Sequence, residues 1–217
     1  MIKTVIFDMD GTLLDTLDDM MDSVNVTMDY VGCPRRTREE VRAFVGNGAA
    51  KLIERCMPNG AADGKFNEAL EFYRAYYNDH AQIKTAPYAG IRSLLCRLRE
   101  RGTKLAVVSN KPDEAVQQLT EHYFPNLFDA VVGNRQDCRV KPAPDTVVLA
   151  LEQMGVTADG AVYVGDSEVD IATGKNAGMP CVSVTWGFRT REFLVQQGAE
   201  KLADSVKELG NLLAASF

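Results

Sequence analysis

The sequence predicts an α/β fold in which a doubly wound parallel sheet carries a helical insert after its first strand. Three observations in the 217 residues carry this prediction. Short apolar runs rich in β-branched residues alternate with helix-like stretches. Glycines stand where those helices should end, shortly before the next strand. One long region near the N-terminus holds helical patterns and no convincing strand.

The elements follow in order. Residues 3–8 form the first apolar run, nearly continuous, as expected of a strand covered on both faces. Residues 15–86 then break the rhythm. Stretches 17–30, 38–44, 49–57 and 65–80 repeat apolar residues every three or four positions, the spacing of a helix with one buried face. Gly32-Cys33-Pro34, Gly46-Asn47-Gly48 and Pro58-Asn59-Gly60 separate them as turns. Pro87-Tyr88-Ala89-Gly90 reads as the return hinge. Beyond it, strands are expected at 104–109, 130–132, 161–164 and 181–185, and helices at 90–101, 112–122, 143–154 and 168–177, with a last helix at 205–214. Gly102, Gly155 and Gly178 mark three of the helix ends. This alternation reads as right-handed βαβ units. The expected division is therefore an α/β core of residues 1–14 and 87–217, with a helical domain at 15–86.

Composition narrows the function. Hydrophobic residues at 46% and charged residues at 25% suit a folded protein rather than a disordered one. A net charge of −6, with no run of Lys or Arg longer than two, argues against binding nucleic acid through its phosphates. No apolar run approaches the roughly 18 residues that span a bilayer, and the N-terminal residues enter a strand pattern without the architecture of a cleavable signal. The five cysteines are scattered and contain no CxxC pair, which suits reduced thiols. The expectation is a soluble cytoplasmic protein with neither a membrane nor a nucleic-acid partner.

Chemistry concentrates where strands end. Asp8-Met9-Asp10-Gly11-Thr12 closes the first strand, with two carboxylates two residues apart and a glycine that permits a turn toward an anion. Gly165-Asp166-Ser167-Glu168-Val169-Asp170 follows the run at 161–164 and crowds three acids without neighbouring basic residues. Helix capping explains Asp166 or Ser167 but not the crowding, which a hard divalent cation such as Mg²⁺ would relieve. Ser109-Asn110 and Lys141-Pro142 supply a hydroxyl, an amide and an ammonium at other strand ends. Alone, Ser109 would read as a helix cap and Lys141 as a loop lysine. In an open parallel sheet, however, the carboxyl ends of the strands line one crevice.

In this order the residues resemble the haloacid dehalogenase-like superfamily, on its phosphatase branch. Asp8-x-Asp10-Gly11-Thr12, Ser109, Lys141-Pro142 and Gly165-Asp166-x-x-x-Asp170 match its four motifs, and the helical stretch resembles that family's small α-helical cap. Within the family, Val45-Gly46-Asn47-Gly48-Ala49, the segment around Pro87-Tyr88 and Ser109-Asn110-Lys111-Pro112 are similar to phosphoglycolate phosphatases. The resemblance implies a Rossmann-like core and a Mg²⁺-dependent phosphomonoester hydrolase acting on a small phosphorylated metabolite, as a monomer or homodimer. It implies Asp8 as nucleophile and Asp10 as acid and base. Ser109 and Lys141 would bind phosphate, and Asp8, Asp10 and Asp166 would bind the metal, with Asp170 behind them. Gly11, Thr12 and Asn110 would donate to the substrate, and Asn47 and Gly48 of the cap would select it. Pyrophosphatases, sugar-phosphate phosphatases and a β-phosphoglucomutase-type phosphotransferase share much of this pattern. A phosphate-binding regulatory module and a phosphorylated receiver domain are the non-enzymatic alternatives. They fit less well, because Asp8 and Asp10 are both present and receiver domains lack a helical insert.

Outside the motifs, Arg35, Arg36, Arg38 and Arg42 read as a solvated surface interleaved with Glu39 and Glu40. Asp15 and Thr16 are expected to cap the first insert helix, His80 and His122 to lie on the surface, and Trp186 to pack beneath the site.

Overall fold

A computed structural model describes residues 2–215; Met1, Ser216 and Phe217, which the sequence division assigns to the core, lie outside the described residues. The chain divides into two compact units, one spanning 15–86 and the other 1–14 with 87–217. The two chain crossings, Leu14–Asp15 and Ala86–Pro87, are short strands that pair with each other.

The unit at 15–86 is helical, with α1 (Leu17–Val31), α2 (Arg38–Phe44), α3 (Gly48–Cys56) and α4 (Phe66–His80). Helix α1 buries Leu17, Met20, Val24, Met28 and Val31, one stripe at three- and four-residue spacing, and α4 buries Ala69, Tyr73 and Tyr77. Gly32 ends α1 in the left-handed region (φ 71°), with the Cys33 N–H reaching back to the Met28 carbonyl at 2.8 Å. Thr37 and Glu40 form a reciprocal capping box at α2. The expected cap of α1 is only partly made. Thr16 makes no side-chain cap bond, and Asp15 accepts a long 3.4 Å bond from the Leu17 N–H. The Asp19 carboxylate is buried and accepts the N–H groups of Ile83, Lys84 and Thr85, which ties the end of this unit to its first helix.

The other unit contains one sheet of six strands, β1 (Thr4–Phe7), β2 (Lys104–Pro112), β3 (Ala130–Asn134), β4 (Ala161–Gly165), β5 (Cys181–Val184) and β6 (Lys201–Ala203), with helices α5 (Ile91–Glu100), α6 (Asp113–Tyr123), α7 (Asp145–Met154), α8 (Glu168–Asn176), α9 (Arg191–Gln196) and α10 (Val206–Ala214). All pairings are parallel and the spatial order is β3-β2-β1-β4-β5-β6, which reverses direction at β1. Val5 and Phe7 pack on one face with Leu94, Leu98 and Leu209, while Ile6 packs on the other with Val147, Ala150 and Tyr163. Covering both faces explains why these strands read as continuous apolar runs. Strand β6 and helix α9 were not expected from the sequence, because three and six residues are too few to show a period.

Two details of register position the site. Phe7 lies level with Val107 on one side and Val164 on the other, so Asp8 emerges between the ends of β2 and β4. Strand β2 slips register against β3 between Val108 and Pro112, which takes Ser109, Asn110 and Lys111 out of the regular ladder.

Candidate active site

Asp8 follows β1 at the reversal point of the sheet, where its N–H donates to the Val164 carbonyl at 2.8 Å. Lys141, buried before α7, places Nζ 2.9 Å from Asp8 Oδ1 and 2.9 Å from Asp170 Oδ1. It also donates to the Tyr163 hydroxyl at 2.9 Å, and that hydroxyl donates to Asp170 Oδ1 at 3.2 Å. The other Asp170 oxygen accepts the Ser167 N–H at 3.1 Å and the Ser167 hydroxyl at 2.6 Å. Both oxygens of this fully buried carboxylate are therefore committed to holding Lys141 and the start of α8.

Asp166 faces Asp8 across the same edge. It accepts the Phe188 N–H on Oδ2 at 2.6 Å and a long 3.5 Å bond from the Thr12 hydroxyl on Oδ1. The space for this carboxylate comes from two glycines. A Cβ on Gly11, which sits at φ 81°, or on Gly187 would collide with the Asp166 carboxylate. Gly11 therefore makes room for a neighbour as well as turning the chain. Thr12 is fully buried; its hydroxyl turns to Asp166 and its carbonyl accepts the Trp186 indole N–H at 3.2 Å. That placement gives the Thr12 side chain and carbonyl a supporting task.

The Asn110 side chain has a supporting task as well. Its Oδ1 accepts the Lys141 N–H at 2.8 Å and its Nδ2 donates to the Lys141 carbonyl at 3.1 Å, so the amide fastens the Lys141 loop to β2. Ser109 is buried, and its Oγ accepts the Lys111 N–H at 3.2 Å, leaving the hydroxyl hydrogen to donate elsewhere. Glu168 leaves the acidic group altogether. Arg189 grips it with two bonds, at 2.8 and 3.3 Å, so the absence of a basic partner nearby in sequence was misleading. Asn47 and Gly48 belong to the helical unit, where they start α3; Gly48 has φ 82° and Asn47 makes no side-chain cap bond.

Three functional neighbours escaped the sequence reading. Lys111, with its side chain 2% exposed, forms an ion pair with Asp10 Oδ1 at 3.0 Å. Tyr163 looked like one more apolar strand residue, and Arg189 lies in a segment without any motif. A lysine flanked by Ser-Asn and Pro at a strand end was the one available signal.

Burial sets the electrostatics. It pushes the Asp8 carboxyl up to about 7, with Asp170 adding to the rise and Lys141 opposing it. Asp166 is raised well above the usual carboxylate range by burial, then by Asp170 and Asp8. Burial works to depress Lys141, but Asp170 and Asp8 overcome it and hold the ammonium well above its ordinary value. Four carboxyl groups (Asp8, Asp10, Asp166 and Asp170) share this edge with two ammonium groups (Lys111 and Lys141), so full ionisation would leave surplus negative charge, the repulsion that adds to burial in raising Asp8 and Asp166. One oxygen from each of Asp8, Asp166 and Asp170 lies within 4.8 Å of the others. Because Asp170 already accepts from both sides, Asp8 and Asp166 are the carboxylates with capacity to spare. An all-oxygen donor set with surplus negative charge fits a hard divalent cation.

The other residues singled out by the sequence have settings of their own. Arg35 pairs with Asp29, Arg36 with Glu40 and Arg38 with Asp18. His80 stacks on Tyr76, His122 is exposed, and all five cysteines are free. Among the described residues, no helix is long and apolar enough to cross a membrane.

Comparison with known proteins gives a consistent picture. The pattern of the haloacid dehalogenase-like hydrolases matches residues 5–184. A phosphoglycolate phosphatase of Aliivibrio fischeri is 33% identical over 96% of this chain and 95% of its own length. One of Pseudomonas savastanoi pv. phaseolicola is 32% identical over 95% of this chain and 78% of its own. A crystal structure of a candidate phosphoglycolate phosphatase from Lactobacillus delbrueckii subsp. bulgaricus superimposes with a TM-score of 0.94 and 38% identity, covering 98% of this chain and 99% of that one.

Proposed function

The chain belongs to the haloacid dehalogenase-like hydrolase family, and from that premise we propose that it is a Mg²⁺-dependent phosphatase of a small phosphorylated metabolite, working through an aspartyl-phosphate (acyl phosphate) on Asp8. One observation carries the reading. Asp8, at the reversal point of the sheet, lies 2.9 Å from the Lys141 ammonium and within 4.8 Å of an Asp166 oxygen.

In the first step an Asp8 oxygen attacks phosphorus. The new P–O bond forms as the bond to the leaving oxygen breaks, and Asp10 gives that oxygen a proton. In the second step water attacks the same phosphorus, Asp10 takes the water's proton, and the Asp8–phosphate bond breaks to release inorganic phosphate. Lys141 and the Ser109 hydroxyl hold the non-bridging oxygens, where charge gathers in the transition state. Asp170 and Tyr163 keep Lys141 aimed, and Asn110 fixes its main chain. The Asp8 and Asp166 carboxylates and the Asp10 main-chain carbonyl would hold Mg²⁺, which when bound supplies the positive charge that keeps Asp8 ionised beside a phosphate dianion.

Phosphoglycolate is the substrate we favour, supported by relatives of that name that align along nearly the whole chain. Discrimination against larger esters is assigned to the helical unit, with Asn47 and Gly48 as its candidates. The test is phosphate release from phosphoglycolate, pyrophosphate, hexose phosphates and nucleotides, before and after EDTA. Phosphoglycolate should give the highest kcat/KM, and Mg²⁺ should restore what EDTA removes. A panel led by pyrophosphate or hexose phosphates would move the assignment to those classes. Undiminished turnover in EDTA would contradict the metal.

A further inference from the structure

We propose that Trp186 is a positioning residue whose indole N–H holds the turn after Asp10 against Asp166. For the cation the inference rests on the metal site proposed above, and it names what keeps the two halves of that site at a fixed spacing.

The turn is wound tightly on itself but only weakly tied to Asp166 by its own side chain. The N–H groups of Thr12, Leu13 and Leu14 all donate to the Met9 carbonyl, at 3.3, 2.9 and 3.0 Å, and the Gly11 N–H donates to the Leu14 carbonyl at 2.9 Å. The Thr12 hydroxyl reaches Asp166 at 3.5 Å, a long bond and a weak one. Oxygens of Asp8, Asp166 and Asp170 lie within 4.8 Å of one another, and these groups repel whenever two of them are ionised. Holding the end of β1 beside the end of β4 therefore calls for a firmer link.

Three consecutive residues beyond β5 supply it. Trp186 Nε1 donates to the Thr12 carbonyl at 3.2 Å, and the Phe188 N–H donates to Asp166 Oδ2 at 2.6 Å. Between them Gly187 lies close to both sides, since a Cβ there would collide with the Asp166 carboxylate and with the Gly11 carbonyl. The segment thus bridges the turn after β1 and the acid after β4, and its grip on the turn is the indole. An indole N–H donates and cannot accept. The ring around it belongs to the single tryptophan of the chain and packs near Tyr88 against the core face that includes Val5 and Phe7. A phenyl ring would fill much of that space and hold nothing.

The consequence is preorganisation. The Asp10 main-chain carbonyl leads into this turn and Asp166 stands on the other side of the bridge, so the indole bond sets the spacing of two groups assigned to Mg²⁺. Without it the cation must itself draw the turn and Asp166 together, at a cost in affinity. The experiment measures Mg²⁺ binding by calorimetry, with no substrate present, in wild type, W186F and L213A, the last a control that truncates a buried residue of α10. W186F should bind Mg²⁺ about 10-fold more weakly, whereas L213A should melt at a lower temperature and bind as wild type does. Amide hydrogen exchange in metal-free protein gives a second, independent reading. The N–H groups of Thr12, Leu13 and Leu14 should exchange roughly 3- to 10-fold faster in W186F. If W186F does not fold, as judged by circular dichroism, 3-benzothienylalanine at position 186 keeps the fused ring, exchanges only the N–H for sulfur, and should show both changes. Either reading unchanged in whichever variant folds, or an equal loss of Mg²⁺ affinity in L213A, would overturn the role of the indole. Wild-type protein that binds no Mg²⁺ would instead sink the metal assignment and leave the exchange result to decide on Trp186, so the two failures are distinct.

Discussion

Replacing Asp170 by Asn tests the buried network beneath Asp8, and the structure sets the size of the effect. Asp170 is fully buried and accepts from Lys141 Nζ at 2.9 Å, the Tyr163 hydroxyl at 3.2 Å, and the Ser167 N–H and hydroxyl at 3.1 and 2.6 Å. An asparagine has one accepting oxygen, so its NH₂ must face either Lys141 with Tyr163 or Ser167. Tyr163 and Ser167 Oγ can rotate their hydrogens away, but the Lys141 ammonium and the Ser167 N–H cannot. Either orientation leaves a buried donor unpaired, worth about 1–3 kcal/mol. Lys141 also loses one of its two counter-charges, and breaking a buried pair costs about 3–5 kcal/mol. These overlap, so the total should be about 3–5 kcal/mol rather than their sum. For a protein of this size that is a fall in Tm of roughly 6–20 °C, read by calorimetry in EDTA so that no metal offsets it. With Mg²⁺ restored, kcat should fall about 10²-fold or more as Lys141 loses its aim. As a control, S167A keeps the charge and loses one hydroxyl donor, and should cost about 1 kcal/mol. A D170N protein that melts within about 2 °C of wild type would refute the claim that Asp170 carries the network.

Three further outcomes follow from particular contacts. Gly187→Ala places a methyl group against the Asp166 carboxylate and the Gly11 carbonyl. It should weaken Mg²⁺ activation at least 10-fold, and an unchanged Mg²⁺ titration would remove Asp166 from the metal site. Asp19→Ala strips the acceptor from the N–H groups of Ile83, Lys84 and Thr85. It should cost about 2–4 kcal/mol, with amide hydrogen exchange accelerated at those three positions, and unchanged exchange there would contradict the role. Asn47→Ala avoids the strain of substituting Gly48 at φ 82°. It should lower kcat/KM for phosphoglycolate more than for p-nitrophenyl phosphate, and equal losses would take Asn47 out of substrate selection.

What could be read from the sequence was whatever depends on local pattern. Strand ends follow from the lengths of apolar runs, and the carboxyl ends of parallel strands share one edge, so Asp8, Ser109, Lys141 and Asp166 could be brought together before any coordinates. The longest helical stretches of the insert, α1 and α4, were legible because each has one buried stripe. What could not be read depends on register and on distant segments. Lys111 meets Asp10 from the stretch where β2 slips against β3, and no residue pattern announces the slip. Arg189 neutralises Glu168 from beyond β5, so acids that look unpartnered along the chain are partnered in space. Tyr163 fits a strand run by its ring, and only the fold shows that its hydroxyl meets Lys141 and Asp170. Only the fold shows that the side chains of Asn110 and Thr12 meet Lys141 and Asp166.

The covalent role proposed for Asp8 is the central claim, and it can be measured directly. The enzyme is mixed with excess phosphoglycolate and Mg²⁺, quenched in acid within the first turnovers, and digested for mass spectrometry. The account predicts one phosphoryl group on the peptide containing Asp8, lost on alkaline hydroxylamine treatment and absent from D8N, which should fold normally and release no phosphate. Rapid turnover by D8N, or a phosphoryl group found on another residue of a fully active enzyme, would contradict it.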